Sequence, residues 1–142
     1  IVYKDATYNY EIGKANILKK GNEIAIIATG NIVKNALDAA DLLKDQIDCT
    51  VIDMHTIVPL DATLLQELKH YKLIVTVEEH LKAGGLGSAI AEYYAAEAVK
   101  PRHIILGVDD IYTPSGTTGY VQEQVGLSSR QIAERIIKEF RS

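Results

Sequence analysis

The sequence contains no tryptophan, one cysteine, one methionine and three prolines. The single Cys49 cannot form a disulfide within the chain, which is typical of a reducing compartment, so we expect a cytoplasmic protein. Because Cys49 begins an apolar strand, we expect its thiol to be buried and inert. No apolar run is long enough for a transmembrane helix, and the first residues lack the pattern of a signal peptide, so we expect no membrane partner.

Positive charge is not in excess either. The formal net charge is -4, and Lys and Arg are scattered without a basic run. A nucleic-acid interface normally requires clustered positive charge, so we expect no nucleic-acid partner. The remaining composition is that of an ordinary globular protein, with 47% hydrophobic and 24% charged residues in a chain of 142. This length fits one domain with a substantial core.

Apolar segments of strand length alternate with amphipathic segments of helical period. We predict an extended, tyrosine-rich arm over residues 1–13 and an α/β domain over residues 14–142. The predicted strands are 15–19, 23–28, 49–53, 73–77 and 104–108, and the predicted helices are 32–44, a short helix after 61, 85–97 and a closing helix that ends near 140. Such alternation favours a mostly parallel sheet with helices on both faces.

Several residues are typical of element ends. Asp61 is predicted to cap the short helix, and Asn31 the helix over 32–44. Ser128 and Gln131 have the spacing of a capping box at the start of the closing helix. The turn at Gly21-Asn22 is predicted to return the first strand to the second.

Glu78, Glu79 and His80 directly follow the buried strand 73–77. They favour either a polar cluster or acid/base pair that meets a ligand at the carboxyl end of the strand, or a solvated loop whose carboxylates accept backbone N–H groups. No nucleophile lies at a recognisable spacing, and the chain has neither an H-E-x-x-H motif nor paired cysteines. We therefore predict no catalytic residue and no metal ligand in this domain.

The glycine-rich stretch Gly84-Gly85-Leu86-Gly87-Ser88 opens a predicted helix. Its N–H groups and the helix dipole could hold an anion, or the glycines could serve a tight turn with close helix–strand packing. The candidate interface or anion site comprises Glu79, His80, Gly85 and Ser88. A nucleotide-binding module remains a further alternative, because Gly30 follows one strand and Asp53 ends the next, although a full dinucleotide fingerprint is missing.

A series of short motifs occurs in order along the chain. These are 11–15 (EIGKA), 28–30 (ATG), 36–40 (ALDAA), 56–61 (TIVPLD), 77–80 (VEEH), 84–88 (GGLGS), 107–110 (GVDD), 115–116 (SG) and 126–127 (GL). The ordered series resembles the C-terminal domain of transketolases, which is shared with 1-deoxyxylulose-5-phosphate synthases and with the β subunits of 2-oxoacid dehydrogenases. The resemblance extends from Tyr10 to near the end of the chain. His55 and the segment 110–114 depart from the family pattern.

The resemblance implies a three-layer α/β/α domain whose five-stranded sheet has its first strand antiparallel to the other four. It implies a larger, homodimeric enzyme that transfers a two-carbon ketol unit between sugar phosphates. Thiamine diphosphate and Mg²⁺ would be bound by other domains of that enzyme, and none would be bound by this chain. The domain would then serve structure and dimerisation. The alternative is an assembly module of a 1-deoxyxylulose-5-phosphate synthase or a 2-oxoacid dehydrogenase β subunit.

The ends of the predicted strands carry polar residues that suit an interface. Thr29, His55, Glu79 and His80 follow the carboxyl ends of strands, where the ligand and partner sites of open α/β sheets gather. We expect them to face the rest of the enzyme or its dimer mate. There, His80 could change its charge near neutral pH.

Overall fold

The structure is a computed structural model that describes residues 2–3, 10–109 and 115–142. Most of the predicted arm, including Tyr8, and the unusual segment 110–114 lie outside the described residues. The boundary between arm and domain therefore stays a prediction.

Strands and helices alternate through most of the described chain. The strands are β1 (Asn16–Lys19), β2 (Ile24–Ala28), β3 (Cys49–Asp53), β4 (Leu73–Leu81) and β5 (Arg102–Val108). The helices are α1 (Val33–Leu43), α2 (Ala62–Leu68), α3 (Leu86–Ala95), α4 (Thr118–Gln124) and α5 (Ser129–Phe140), and a short 3-10 turn (Gly30–Ile32) precedes α1. No helix of the described part is both long and apolar enough to cross a membrane.

The five strands form one sheet in the order β1-β3-β2-β4-β5. Strand β1 is antiparallel to its neighbour, and the other pairs are parallel. Helices cover both faces, so the predicted three-layer α/β/α fold with an antiparallel first strand is confirmed. The central position belongs to β2, whose five residues are all fully buried.

The turn at Gly21-Asn22 leads the first strand into the second as expected, but β1 pairs with β3 rather than with β2. The turn after β1 crosses the start of β3, where the Thr50 hydroxyl accepts the Gly21 N–H and lies 2.8 Å from the Gly21 carbonyl oxygen. A Cβ on Gly21 would lie 2.6 Å from the backbone of Cys49, so only glycine allows this close crossing. The half-exposed β1 therefore forms the edge, and the apolar β2 takes the centre.

Alternate residues of β2 belong to two hydrophobic cores, one on each face of the sheet. Ile24 and Ile26 pack with α1 and α5 on one face of the sheet. Ala25 and Ile27 pack with α2 and α3 on the other. Both faces of the parallel strands are thus buried, which accounts for their nearly continuous apolar sequence.

Two of the predicted helix caps are confirmed. The Asp61 carboxylate accepts the N–H of Leu64 at 3.1 Å, and its other oxygen accepts the N–H of Ala15 at 2.9 Å. Both bonds of the capping box between Ser128 and Gln131 are present at the start of α5. The prediction for Asn31 was wrong, because it lies inside the 3-10 turn and α1 begins without a side-chain cap.

The limits of several elements differ from the prediction, and β5 begins at Arg102, two residues before its predicted start. Strand β4 continues to Leu81, four residues past its predicted end, and α3 ends at Ala95. Helix α4 was not predicted. The Thr117 hydroxyl accepts the N–H of Tyr120 and caps it.

Candidate functional site

The carboxyl ends of the parallel strands converge on one side of the sheet, called here the carboxyl edge. Ala28 at the end of β2 is in register with Asp53 of β3 and with Val77 of β4. The start of the antiparallel β1 lies at the same edge, because Asn16 is in register with Asp53. Thr29, His55, Glu79 and His80 all follow these positions, so the topology brings the four predicted strand-end residues to one edge.

The side chain of Glu78 is buried and caps a helix. Its side chain is 0% exposed, and its two carboxylate oxygens accept the N–H of Leu86 at 2.8 Å and of Gly87 at 3.0 Å. These N–H groups belong to the first turn of α3, where the helix dipole also favours negative charge. Backbone N–H groups fix the carboxylate of Glu78, as one of the two interpretations expected, but the solvated loop of that interpretation is wrong, because Glu78 is buried within β4.

The glycines beside Glu78 leave room for this carboxylate. A Cβ on Gly85 would lie 2.0 Å from Oε2 of Glu78, and a Cβ on Gly87 would lie 2.6 Å from the side chain of Ile105. Gly84 adopts a φ of +78°, a conformation that other residues rarely take. The glycines of this stretch thus allow a tight turn at Gly84 and the close approach of the start of α3 to Glu78 and Ile105.

The same turn satisfies most of its polar groups internally. The Gly84 N–H donates to Oγ of Ser88 at 3.0 Å, and the Ser88 hydroxyl donates to the Lys82 carbonyl at 2.7 Å. The N–H groups of Leu86 and Gly87, which would hold an external anion, already bind Glu78. An added anion would have to displace a buried carboxylate.

Glu79 points to the opposite face of the sheet and joins three elements. Its carboxylate accepts the side-chain amide of Gln122 in α4. Oε1 of Gln122 accepts Nδ2 of Asn35 in α1 at 2.9 Å, and Asn35 also donates to the carbonyl of Leu127. Sequence reasoning missed Asn35 and Gln122, because contacts across 87 positions leave no local pattern.

Exposed apolar side chains concentrate at the carboxyl edge. Among the described residues, five of the eight exposed large apolar side chains lie there, and we call them the carboxyl-edge surface: Tyr10, Ile12, Val58, Leu81 and Tyr120. Val58 is 88% exposed and Ile12 is 70% exposed. Their position at the edge where the partner sites of open α/β sheets gather suits contact with a partner.

Polar residues stand between these apolar ones. The ring of His55 lies 4.3 Å from that of Tyr10, and its Nδ1 is 3.1 Å from Oγ1 of Thr56. His80 is exposed. Lys82 pairs with Asp109 at 2.7 Å. The carboxyl edge is therefore a mixed apolar and polar surface, as at many protein interfaces.

The other candidate residues that the sequence offered have structural roles within the domain. Asp53 is buried and accepts the hydroxyl of Tyr3. Burial raises the pKa of Cys49 to about 12, so its thiol is inert as predicted. Burial also lowers the pKa of His103 to about 4, and its Nε2 lies 3.0 Å from Oγ1 of Thr76. Within residues 2–3, 10–109 and 115–142, no group of three His, Cys, Asp or Glu side chains is placed to hold a metal ion.

Comparison with known proteins gives a consistent result. The model of a family described as transketolase, C-terminal domain, matches residues 13–132. A Methanocaldococcus jannaschii protein named as a transketolase C-terminal section is 36% identical over 143 residues, which cover 99% of this chain and 45% of that protein. The 1-deoxy-D-xylulose-5-phosphate synthase of Pseudoalteromonas translucida is 36% identical over 127 residues, which cover 89% of this chain and 20% of that protein.

Solved structures show the same relationship. One described as a split gene transketolase, inactive beta4 tetramer, superposes with a TM-score of 0.87 at 34% identity and covers 97% of this chain. The transketolase of Campylobacter jejuni superposes with a TM-score of 0.67 over 95% of this chain at 18% identity, which is a likeness of fold alone. The chain spans 45% of the split-gene chain and 20% of the Campylobacter one.

Proposed function

This chain belongs to the transketolase C-terminal domain family, and from that premise we propose that it is the C-terminal part of a transketolase of the cytoplasm. The whole enzyme would transfer a two-carbon ketol unit from a ketose phosphate to an aldose. The proposal is supported by the family match over residues 13–132 and by the 0.87 TM-score with a split gene transketolase.

In that enzyme the domain would serve assembly through its carboxyl edge. The observation that carries this role is the carboxyl-edge surface, since five of the eight exposed large apolar side chains of the described residues share one edge. Burying apolar area stabilises a contact by about 25 cal/mol per Å² before the costs of association are subtracted. Its partner would be the other domains or subunit of the same enzyme, in a homodimer, with Thr29, His55, Glu79 and His80 at or near the contact.

Thiamine diphosphate and Mg²⁺ would be held by those other domains. Thiamine diphosphate supplies the covalent chemistry of ketol transfer when it is bound. The donor set of the described residues fits neither group: no cluster of metal ligands occurs among them, and Glu78 already accepts two N–H groups at the start of α3. We therefore assign no catalytic or cofactor-binding residue to this chain.

A complementation assay tests the proposal. The chain is mixed with thiamine diphosphate, Mg²⁺ and sugar phosphates, alone and together with the section that carries the cofactor-binding domains. We expect ketol transfer by the mixture and none by the chain alone. Turnover by the purified chain alone would overturn the assignment of chemistry to other domains.

Substitutions at the carboxyl edge test the assembly role. Val58→Asp places a charge in the most exposed apolar position of the carboxyl-edge surface and should weaken association with the complementary section. Leu42→Asp is the matched control, because Leu42 is 57% exposed near the far end of α1. Association can be followed by light scattering, and equal behaviour of the two variants would contradict a role for this surface.

A second candidate function is that of a 1-deoxy-D-xylulose-5-phosphate synthase. It is favoured by the synthase of Pseudoalteromonas translucida, which shows the same 36% identity as the transketolase section. Product analysis of the assembled enzyme distinguishes the two, because one exchanges ketol units between sugar phosphates and the other forms 1-deoxy-D-xylulose-5-phosphate.

A further inference from the structure

A cleft of about 240 Å³ opens beside α4 at the carboxyl edge. Its lining is largely apolar and includes a carboxylate, an amide and a hydroxyl group. The apolar walls are Val108, Val121, Val125 and Leu127, and the polar groups are the side chains of Glu79, Gln122 and Thr118. The cleft thus combines apolar walls with the carboxylate of Glu79.

The carboxylate of Glu79 is held in place by other side chains. Gln122 is only 9% exposed, and both ends of its amide are engaged, one by Glu79 and one by Asn35. Asn35 is itself fixed by a bond to the Leu127 carbonyl at 2.9 Å. An orientation fixed in advance lowers the cost of ordering when a ligand binds.

The charge of Glu79 is not balanced by an ion pair within the described part of the chain. The nearest lysine in sequence, Lys82, pairs with Asp109 instead, and the adjacent His80 forms no ion pair with Glu79 among the described residues. Among the described residues, the carboxylate of Glu79 accepts one hydrogen bond, from the side-chain amide of Gln122. That bond occupies one of the two carboxylate oxygens. A half-buried carboxylate in an apolar cleft gains most from a cation that reaches its other oxygen.

We propose that this cleft binds an ammonium or guanidinium group carried on a short apolar stem. The cation would meet Glu79, and the methylene groups would lie against the valine and leucine walls, as the stems of lysine and arginine do on apolar surfaces. Drug-sized pockets have volumes of roughly 300–1,000 Å³, so the smaller cleft fits a ligand the size of one side chain. The source is a free small amine or a basic side chain of the section that completes the enzyme.

Titration with simple cations tests the proposal directly. The chain, labelled at its Val and Leu methyl groups, is titrated with n-butylammonium and N-butylguanidinium and followed by NMR. We expect both cations to perturb the methyl groups of Val108, Val121, Val125 and Leu127. Neutral n-butanol and anionic butyrate should bind at least about tenfold more weakly, because a charged hydrogen bond is missing. Equal binding of butanol and butylammonium, or no perturbation of these methyl groups by either cation, would overturn the proposal.

Two variants show whether the charge of Glu79 is responsible. Glu79→Gln keeps the size and an acceptor for Gln122, and should weaken butylammonium binding at least about tenfold. Glu123→Gln removes the same charge from an exposed position of α4 that pairs with Arg130, and should leave binding unchanged. If the two variants bind alike, the carboxylate of Glu79 does not recognise the cation. The ligand series on the unaltered chain remains decisive even if Glu79→Gln fails to fold.

The assembled enzyme distinguishes the two sources. If a basic side chain of the complementary section fills the cleft, assembly should exclude butylammonium, and Glu79→Gln should weaken assembly. If the ligand is a free amine, butylammonium should bind the assembled protein as it binds the chain. In both cases the cation binds the carboxylate of Glu79. If the proposed assembly role proves wrong, the titration of the single chain still tests whether the cleft binds a cation.

Discussion

Gly85→Ala should displace the buried carboxylate of Glu78 from the N–H groups that it binds and so destabilise the domain. The added Cβ would lie 2.0 Å from Oε2 and 2.8 Å from Cδ of Glu78, which is closer than such atoms can approach. The backbone of Gly85 has a φ of -98°, so the alanine would suffer no conformational strain of its own. The cost should therefore come from Glu78, whose bonds to the N–H groups of Leu86 and Gly87 would be broken or distorted.

The magnitude follows from those two bonds, which measure 2.8 and 3.0 Å. A hydrogen bond to a charged group contributes about 1.5–3 kcal/mol. The loss of both, less about 0.4–1 kcal/mol for the reduced freedom of the unfolded chain, predicts a destabilisation of about 2–5 kcal/mol. For a domain of this size the melting temperature should fall by about 7–17 °C.

A double-mutant cycle isolates the cause. Gly85→Ala, Glu78→Ala and the double variant are unfolded in urea, and Gly119→Ala serves as the control, since a Cβ there would meet no atom within 4 Å. Once the carboxylate is gone, Gly85→Ala should cost almost nothing, which gives a coupling energy of at least about 2 kcal/mol. Additive costs, or a cost for Gly85→Ala no larger than that of Gly119→Ala, would refute the reasoning.

Three further predictions concern stability. Because burial lowers the pKa of His103 from 6.5 to about 4, the unfolded state binds the proton more readily, so stability should fall as the pH drops from 6.5 towards 4. His103→Asn should flatten that part of the urea-unfolding profile, and an unchanged slope would contradict the assignment. Ser128→Ala should cost about 1 kcal/mol by removing the cap of α5, whereas Ser129→Ala should change the melting temperature little; equal shifts would argue against the capping box. Gly87→Ala should cost about 1–3 kcal/mol by crowding Ile105, and Ile105→Ala should relieve part of that cost; without relief, the close approach of α3 to β5 is not its cause.

The elements with local signals at their ends were predicted closely. Strand β3 runs over Cys49–Asp53 as expected, α2 begins after Asp61, and α5 begins after Ser128. In each case the information lies within a few residues: a continuous apolar run for the buried strand and a side-chain acceptor before each helix. Such short-range patterns are visible in the sequence without knowledge of the fold.

The missed features depend on contacts between distant residues. Helix α4 has too few apolar positions to show a clear period, and its Gln122 lies between Glu79 and Asn35. Asn31 was predicted as a cap, but the positive φ of Gly30 lets a 3-10 turn lead into α1 instead. The acidic residues Glu78 and Glu79 led to the prediction that β4 ends at Val77. The strand continues because the N–H groups at the start of α3 bind the carboxylate of Glu78.

The sequence by itself determined the fold class, because alternating apolar strands and amphipathic helices can bury their apolar faces only as layers around a mostly parallel sheet. It also carried the ordered motifs that placed the chain in its family. Tertiary structure alone decided the strand order, the use of Glu78 as an internal cap of α3 and the position of Glu79 in the lining of an apolar cleft. Those outcomes depend on contacts between side chains that are tens of residues apart in sequence, and a local sequence pattern does not reveal such contacts.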